Sequence, residues 1–264
     1  MTDLHAQLED WLAKSGYPLE MRVASVLRKT GFLPIQSETY QDPVDAKPRE
    51  VDVVGYLHHL PVEKPRPQGL HEVHFALVCE CKFSPDKPWV LFTAARDGVN
   101  SVAQIQQIAA SKLGKGLLVP SSEAARLQNM PFFQGPPRLG YSVTTAFGRD
   151  DDKDKDRAYD ALRSVAHATR GIMDHYSTLQ VGKPAFAWPV VVLEGRLFEC
   201  YLGVDEDPQL LEIEYGLLAW RNRILGFHSF VHVVTFSGFA AFSQRALIAA
   251  KTLLEYSYLA QKRT

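Results

Sequence analysis

Apolar residues recur along the first thirty positions at the spacing of a helix. Residues 5–15 and 18–29 carry them every three or four positions, which predicts two amphipathic helices. Pro18 suits the first turn of the second helix, and Gly31 suits the position just after its end. Between residues 50 and 56 the apolar period changes to two, which predicts that a strand follows the helices.

A second apolar strand is predicted from His71 to Phe83, after a connection that is rich in proline. With the strand at 50–56 it would form a hairpin with an elongated loop. Asn100 can cap a helix that runs to about Leu113, and residues 117–119 predict a short apolar strand. The first half of the chain is therefore predicted to run helix, strands, helix, strand.

A run of charged residues at 149–156 lacks apolar positions, which predicts an exposed loop between two parts of the chain. We predict a core domain at 1–147 and a C-terminal α/β extension at 157–264, either continuous with the core or a separate lobe. The further predicted elements are a strand at 141–147, a helix at 157–179, a hairpin of 190–193 and 197–202 around Glu194-Gly195, strands near 210–220 and 230–236, and a helix at about 240–260.

The composition places the chain among ordinary soluble globular proteins, with 264 residues, 46% hydrophobic and 22% charged. The formal net charge of −1 gives no overall attraction to a polyanion. A nucleic-acid site would therefore have to be a local patch of basic residues.

Cysteine usage and the absence of a membrane signal predict the compartment. The three cysteines form neither an even set nor a C-x-x-C pair, which fits a reducing environment. The first thirty residues lack a basic segment followed by an apolar one, and no apolar run approaches the roughly 18 residues of a membrane span. These features predict a cytoplasmic protein without a membrane partner.

The segment V-C-E-C-K-F at 78–83 places two opposite charges in an apolar strand. Side chains alternate between faces of a strand, so Glu80 and Lys82 share one face with Ala76 and Val78. One interpretation is an ion pair on a solvated sheet face, worth at most ~1 kcal/mol. The apolar neighbours favour partial burial instead, where charged groups are costly unless they have a function.

The acidic positions of the first half suit the chemistry of phosphodiester hydrolysis. That reaction needs an activated water and neutralisation of developing negative charge, which Mg²⁺ held by carboxylates can supply, with Mn²⁺ as a substitute. Asp52 and Glu80 would bind the metal from neighbouring strands, and the main-chain carbonyl of Cys81 could add a third oxygen. Lys82 would orient the attacking water or stabilise charge in the transition state. Glu20, on the preceding helix, is a weaker metal-binding candidate.

At these positions the chain resembles the PD-(D/E)XK nuclease superfamily, which has the restriction-endonuclease-like fold. The resemblance is carried by R-E-V-D-V-V at 49–54 and by E-C-K at 80–82, and it covers roughly residues 15–120. It implies a mixed α/β fold with an α-β-β-β-α-β core. Val51 stands where the motif has proline, so the match to the literal pattern is relaxed.

The resemblance also implies roles for individual residues. Asp52 and Glu80 match the metal-binding positions, Lys82 matches the catalytic lysine, and Glu20 matches an acidic position that many members carry before the strands. We therefore expect a metal-dependent nuclease with DNA as its substrate, in defence or in repair.

Two alternatives remain open at this stage. The chain could be a noncatalytic nucleic-acid-binding or assembly module, since a fold does not guarantee activity. The second half could carry a surface for a homodimer or for a partner protein.

Overall fold

The chain opens with two helices that lead into a large sheet with helices on both faces. The computed structural model describes residues 3–60, 70–96, 100–147, 157–178, 182–222 and 227–262. Its helices are α1 Leu4–Lys14, α2 Tyr17–Thr30, α3 Ser101–Gln106, α4 Lys112–Ala124, α5 Pro131–Gln134, α6 Arg157–Thr178 and α7 Phe236–Gln261. Its strands are β1 Leu33–Gln41, β2 Pro48–His59, β3 Val73–Ala95, β4 Ala109–Ala110, β5 Arg138–Thr145, β6 Ala185–Leu202, β7 Pro208–Ile213, β8 Tyr215–Asn222 and β9 Phe227–Thr235.

The local signals at α2 act as the sequence predicts. Pro18 lies in the first turn, and Leu19, Val23 and Leu27 are buried on the face that packs against the sheet. Gly31 ends the helix at φ +116°, a conformation that glycine adopts without steric cost. The helices predicted at 157–179 and about 240–260 are also confirmed: they are α6 and α7, and they differ from the prediction only at their ends.

β3 is the central element of the sheet. Its first half pairs with β2 antiparallel, while its other edge pairs with β6 in parallel along most of its length. Its second half pairs with β5, so the strand predicted to end at Phe83 continues to Ala95. The register of β3 against β6 shifts between Ser84 and Trp89, and β3 continues through Pro85 and Pro88.

The sheet closes on itself. β3, β5, β8, β9 and β6 form a ring in which β6 pairs back with β3, and β2 and β1 extend from the ring beyond β3. The mixed α/β class is confirmed, whereas the finer restriction-endonuclease-like core stays a prediction. Strands before and after the charged run at 149–156, which lies outside the described residues, belong to this one sheet.

Alternating residues of β3 face two separate hydrophobic cores. Phe75, Leu77, Cys79 and Cys81 pack in a cluster with buried residues of α2 and α7. Val78 and its neighbours on the opposite face pack against α6. The face that carries Glu80 and Lys82 is therefore the face covered by α6.

Two local predictions in the first half are wrong. The helix that starts after Asn100 ends at Gln106, and residues 117–119 lie within α4 instead of forming a strand. Ser111 begins α4 by accepting a hydrogen bond from the amide of Gly114 at 3.1 Å. A run of three apolar residues does not distinguish a buried strand from a helix. Here the N-cap at Ser111 favours the helix that contains residues 117–119.

The predicted hairpin at 190–202 is also wrong. Glu194 and Gly195 lie inside β6 and pair in parallel with Phe83 and Ser84 of β3. A Cβ on Gly195 would clash with the carbonyl oxygen of Ser84, so this glycine permits close backbone approach instead of making a turn.

β1 has no counterpart among the predicted strands. The single strand predicted near 210–220 is two strands in the structure, β7 and β8. Among the described residues, no helix is long and apolar enough to cross a membrane.

Candidate active site

The candidate site lies where β2 and β3 diverge. The last paired residues of the two strands are Val53 of β2 and Cys79 of β3. The part of β2 that precedes Val53 pairs only with β1. Asp52 immediately precedes Val53, and its Oδ2 accepts a hydrogen bond from the amide of Cys81 at 2.6 Å. A side-chain carboxylate thus occupies the gap that the main chain of β2 leaves beside β3.

The carbonyl of Cys81 faces the same gap. The N–H and C=O of one strand residue point toward the same neighbouring strand. Since the amide of Cys81 points at Asp52, its carbonyl oxygen also points to the side from which β2 has withdrawn. The structure therefore brings together the carboxylate and the main-chain oxygen that the sequence analysis assigns to a metal.

Glu80 and Lys82 form an ion pair on the face of β3 that α6 covers. The Nζ of Lys82 donates to Oε1 of Glu80 at 2.7 Å. Glu80 is only 6% exposed, so the interpretation as a pair on a solvated sheet face is wrong. Glu80 is buried and the side chain of Lys82 is 32% exposed, so the interaction between their charges is stronger than that of a fully solvated pair.

A serine of the second half, which the sequence analysis missed, orients Glu80. The hydroxyl of Ser164, on α6, donates to Oε2 of Glu80 at 3.1 Å. Ser164 stands 84 residues after Glu80 in an ordinary amphipathic helix, and no local signal distinguishes it.

Gly171 allows α6 to lie this close to the sheet. A Cβ at this position would lie 2.5 Å from the carbonyl oxygen of Gln41 and 2.8 Å from Cδ2 of Tyr40. Any larger residue would push α6 away from β1 and, with it, Ser164 away from Glu80.

Burial and mutual repulsion perturb the acidic groups. Burial raises the pKa of Asp52 above its ordinary value, although the amide of Cys81 and the charge of Lys82 oppose this. Burial, together with the charge of Asp52, also raises the pKa of Glu80. Burial lowers the pKa of Lys82, but the charges of Glu80 and Asp52 outweigh it and raise that pKa overall. The site therefore contains more negative charge than its one lysine neutralises.

The negative charge of the site also acts on Glu20 of α2. Burial, followed by the charges of Asp52 and Glu80, raises its pKa to about 7. Groups with strongly shifted pKa values cluster at functional sites, although structural clusters also produce them. Glu20 thus lies within the electrostatic influence of the predicted catalytic residues.

The raised pKa of Glu20 predicts a pH-dependent stability. The folded protein holds this proton up to about pH 7 and the unfolded chain releases it near 4.5, so stability falls as pH rises between these values. In chelator, Glu20→Gln is expected to match the wild type near pH 5 and to exceed its free energy of unfolding at about pH 8. Urea unfolding at several pH values measures this difference.

Glu123→Gln, which changes an exposed carboxylate of α4, serves as the control and should leave the pH profile unchanged. A stability difference between wild type and Glu20→Gln that does not vary with pH would contradict the prediction.

The donors at the gap suit a hard divalent cation. Among the described residues, no three His, Cys, Asp or Glu side chains converge as a complete metal-binding group. Two carboxylates, Asp52 and Glu80, and the carbonyl of Cys81 are nevertheless oxygen donors of the kind that Mg²⁺ prefers, and Mg²⁺ commonly keeps water and substrate oxygens as its other ligands. The excess negative charge adds to this fit.

Comparisons of this chain with protein-family models, with curated proteins and with solved structures find no match. The chemistry that these side chains support is therefore inferred from their positions, burial and charges.

Proposed function

We propose that this protein is a metal-dependent nuclease that hydrolyses phosphodiester bonds, with DNA as the expected substrate. The observation that carries the proposal is that Asp52 accepts from the amide of Cys81, the residue between Glu80 and Lys82, and lies close enough to both for its charge to shift their pKa values. Two acidic side chains and one basic side chain, of types that metal-assisted hydrolysis uses, therefore lie near one another on two adjoining strands.

Each residue has a defined role in this proposal. Asp52 and Glu80, with the carbonyl of Cys81, would hold Mg²⁺ or Mn²⁺, and Ser164 keeps the carboxylate of Glu80 in place. When bound, the metal would supply Lewis acidity toward a phosphodiester oxygen and lower the pKa of a water. Lys82 would orient the attacking water and stabilise the charge that develops on the phosphate.

Burial of these groups supports a catalytic role over a purely structural one. An isolated buried ion pair adds little net stability, because desolvation offsets the attraction between the charges. Here a further carboxylate, Asp52, lies beside the pair and raises the pKa of Glu80. Such an arrangement costs stability, as expected where side chains are selected for function.

The test is a cleavage panel with the wild type and Asp52→Asn. Plasmid, linear and single-stranded DNA and RNA are each incubated with Mg²⁺, with Mn²⁺ and with chelator. We expect cleavage that requires metal and that Asp52→Asn abolishes. Metal-dependent cleavage that persists in Asp52→Asn would contradict the assignment.

One observation favours a noncatalytic nucleic-acid-binding or assembly module as the second candidate. Asp52 and Glu80 already have protein partners, Cys81, Lys82 and Ser164, so these side chains have contacts in the fold that do not depend on catalysis. Thermal unfolding with and without Mg²⁺ separates the two. A site that binds Mg²⁺ raises the melting temperature by mass action, whereas a scaffold that has lost its chemistry shows no shift.

A further inference from the structure

A groove separate from the candidate active site lies between the first two strands and the C-terminal end of α6. Its volume is about 810 Å³, and it is lined by parts of β1 and β2 and by residues between Gly171 and Thr178. Sites for small organic molecules have volumes of roughly 300–1,000 Å³. Asp52, Glu80 and Lys82 do not line this groove.

Part of the groove wall is apolar. Leu33 and Ile35 of β1 remain roughly half exposed, although they are large aliphatic residues on a strand. Leu57 and Ile172 lie in the same lining, together with the rings of three tyrosines, Tyr40, Tyr56 and Tyr176. Such walls would cover the hydrocarbon or aromatic body of a ligand.

One carboxylate in the groove is incompletely satisfied. The hydroxyl of Tyr56 donates to Oε1 of Glu38 at 2.6 Å. Oε2 of Glu38 is buried and has no hydrogen-bond partner among the described residues. Burial raises the pKa of Glu38 above its ordinary value. A buried acceptor without a donor is costly, and a cation bound against this carboxylate would offset part of that cost by its charge.

The charges around the groove select the sign of the ligand. Glu38, Asp42 and Asp174 contribute carboxylates to the lining, and no lysine or arginine is among its described residues. Asp42 pairs with Arg49 at 2.7 Å and Asp174 with Arg170 at 2.9 Å, so Glu38 is the carboxylate left for the charge of a ligand. His74 also lines it, but burial lowers its pKa to about 4, which leaves the ring neutral at pH 7. An anionic ligand such as a phosphate is therefore disfavoured here, in contrast to the nuclease site.

We propose that this groove binds a small organic cation, with a protonated amine against the half-buried carboxylate of Glu38 and an aromatic or aliphatic body against Leu33, Ile35 and Ile172. The inference stands apart from the proposed nuclease activity, because it uses different residues and a ligand of opposite charge to a phosphodiester.

Ligand-observed NMR titration of the full chain with 2-phenylethylamine, tryptamine and benzylamine tests the proposal at neutral pH. The matched neutral probe is 2-phenylethanol, which keeps the ring and replaces the ammonium with a hydroxyl. We expect saturable binding of at least one amine and weaker binding of the alcohol. Glu38→Gln keeps the shape of the side chain and is expected to weaken amine binding about tenfold, as for loss of a charge-assisted hydrogen bond.

Two further variants keep the test decisive. Leu33→Arg adds a cation at a half-exposed wall position, where the fold should tolerate it, and is expected to abolish amine binding. Glu123→Gln, remote on α4, should leave binding unchanged. Circular dichroism verifies that each variant is folded. The proposal is overturned if none of the three amines binds, if 2-phenylethanol binds as well as 2-phenylethylamine, or if folded Glu38→Gln and Leu33→Arg both bind as the wild type does.

Discussion

Lys82→Ala is expected to reduce metal-dependent DNA cleavage by about 10²–10³-fold, the usual cost of removing one group that stabilises the transition state. The Nζ of Lys82 donates to Glu80 at 2.7 Å, and the side chain of Lys82 is 32% exposed, so protein surrounds most of it. An ammonium in such a position is already oriented before substrate arrives, so little reorganisation is needed during the reaction. Cleavage of the preferred substrate under single-turnover conditions measures the loss.

The fold of Lys82→Ala should survive. Without the lysine, the pKa of Glu80 is expected to rise further, so this carboxyl can take up a proton instead of remaining a buried charge. A rise in melting temperature with Mg²⁺ should persist, because Asp52 and Glu80 remain. Lys29→Ala, at the exposed end of α2, is the matched control and should cleave normally. Full activity in Lys82→Ala would rule out the catalytic assignment of this residue.

Glu199→Ala is expected to lower the free energy of unfolding by about 2–3 kcal/mol, because it breaks a buried ion pair within the ring of strands. Arg138 of β5 donates two hydrogen bonds to Glu199 of β6, each at 2.7 Å. The hydroxyl of Thr93, on β3, donates to the same carboxylate at 2.8 Å. The side chain of Glu199 is 8% exposed, but that of Arg138 is 25% exposed, so the arginine recovers part of its hydration and the loss stays below that of a fully buried pair.

A second ion pair on β6 provides a matched control. Arg196 donates two hydrogen bonds to Glu212 with nearly the same geometry, but both side chains are more than half exposed. Glu212→Ala should therefore change stability little. Urea unfolding followed by circular dichroism compares the two variants, and equal losses would show that burial does not decide the strength of these pairs.

The contribution of Glu199 should also depend on pH. Burial raises its pKa, but the hydrogen bonds from Arg138 and Thr93 outweigh burial, and the pKa lies below the ordinary 4.5. The stabilisation is therefore complete above pH 4.5 and is lost as the pH falls through the lower folded value. The difference between the wild type and Glu199→Ala should shrink in that acidic range.

The sequence by itself determined the elements whose signals are local. The helix α2 follows from Pro18, Gly31 and the spacing of its apolar residues, because these act through the backbone of a few neighbouring positions. The shared face of Glu80 and Lys82 follows from the alternation of side chains along any strand. That the strands carrying Asp52 and Glu80 pair with each other was predictable because strands consecutive in the chain usually lie side by side.

Tertiary structure decided the features that depend on residues far apart in the chain. The pairing of β6 with β3 makes Glu194 and Gly195 part of a strand, although locally they are typical of a turn. The packing of α6 supplies Ser164 to Glu80 and covers a face of β3 that the local pattern left undetermined. The excess negative charge that raises the pKa of Glu20 likewise arises only when three elements meet. Backbone preferences act over a few residues, whereas strand pairing, burial and charge depend on which distant segments come into contact.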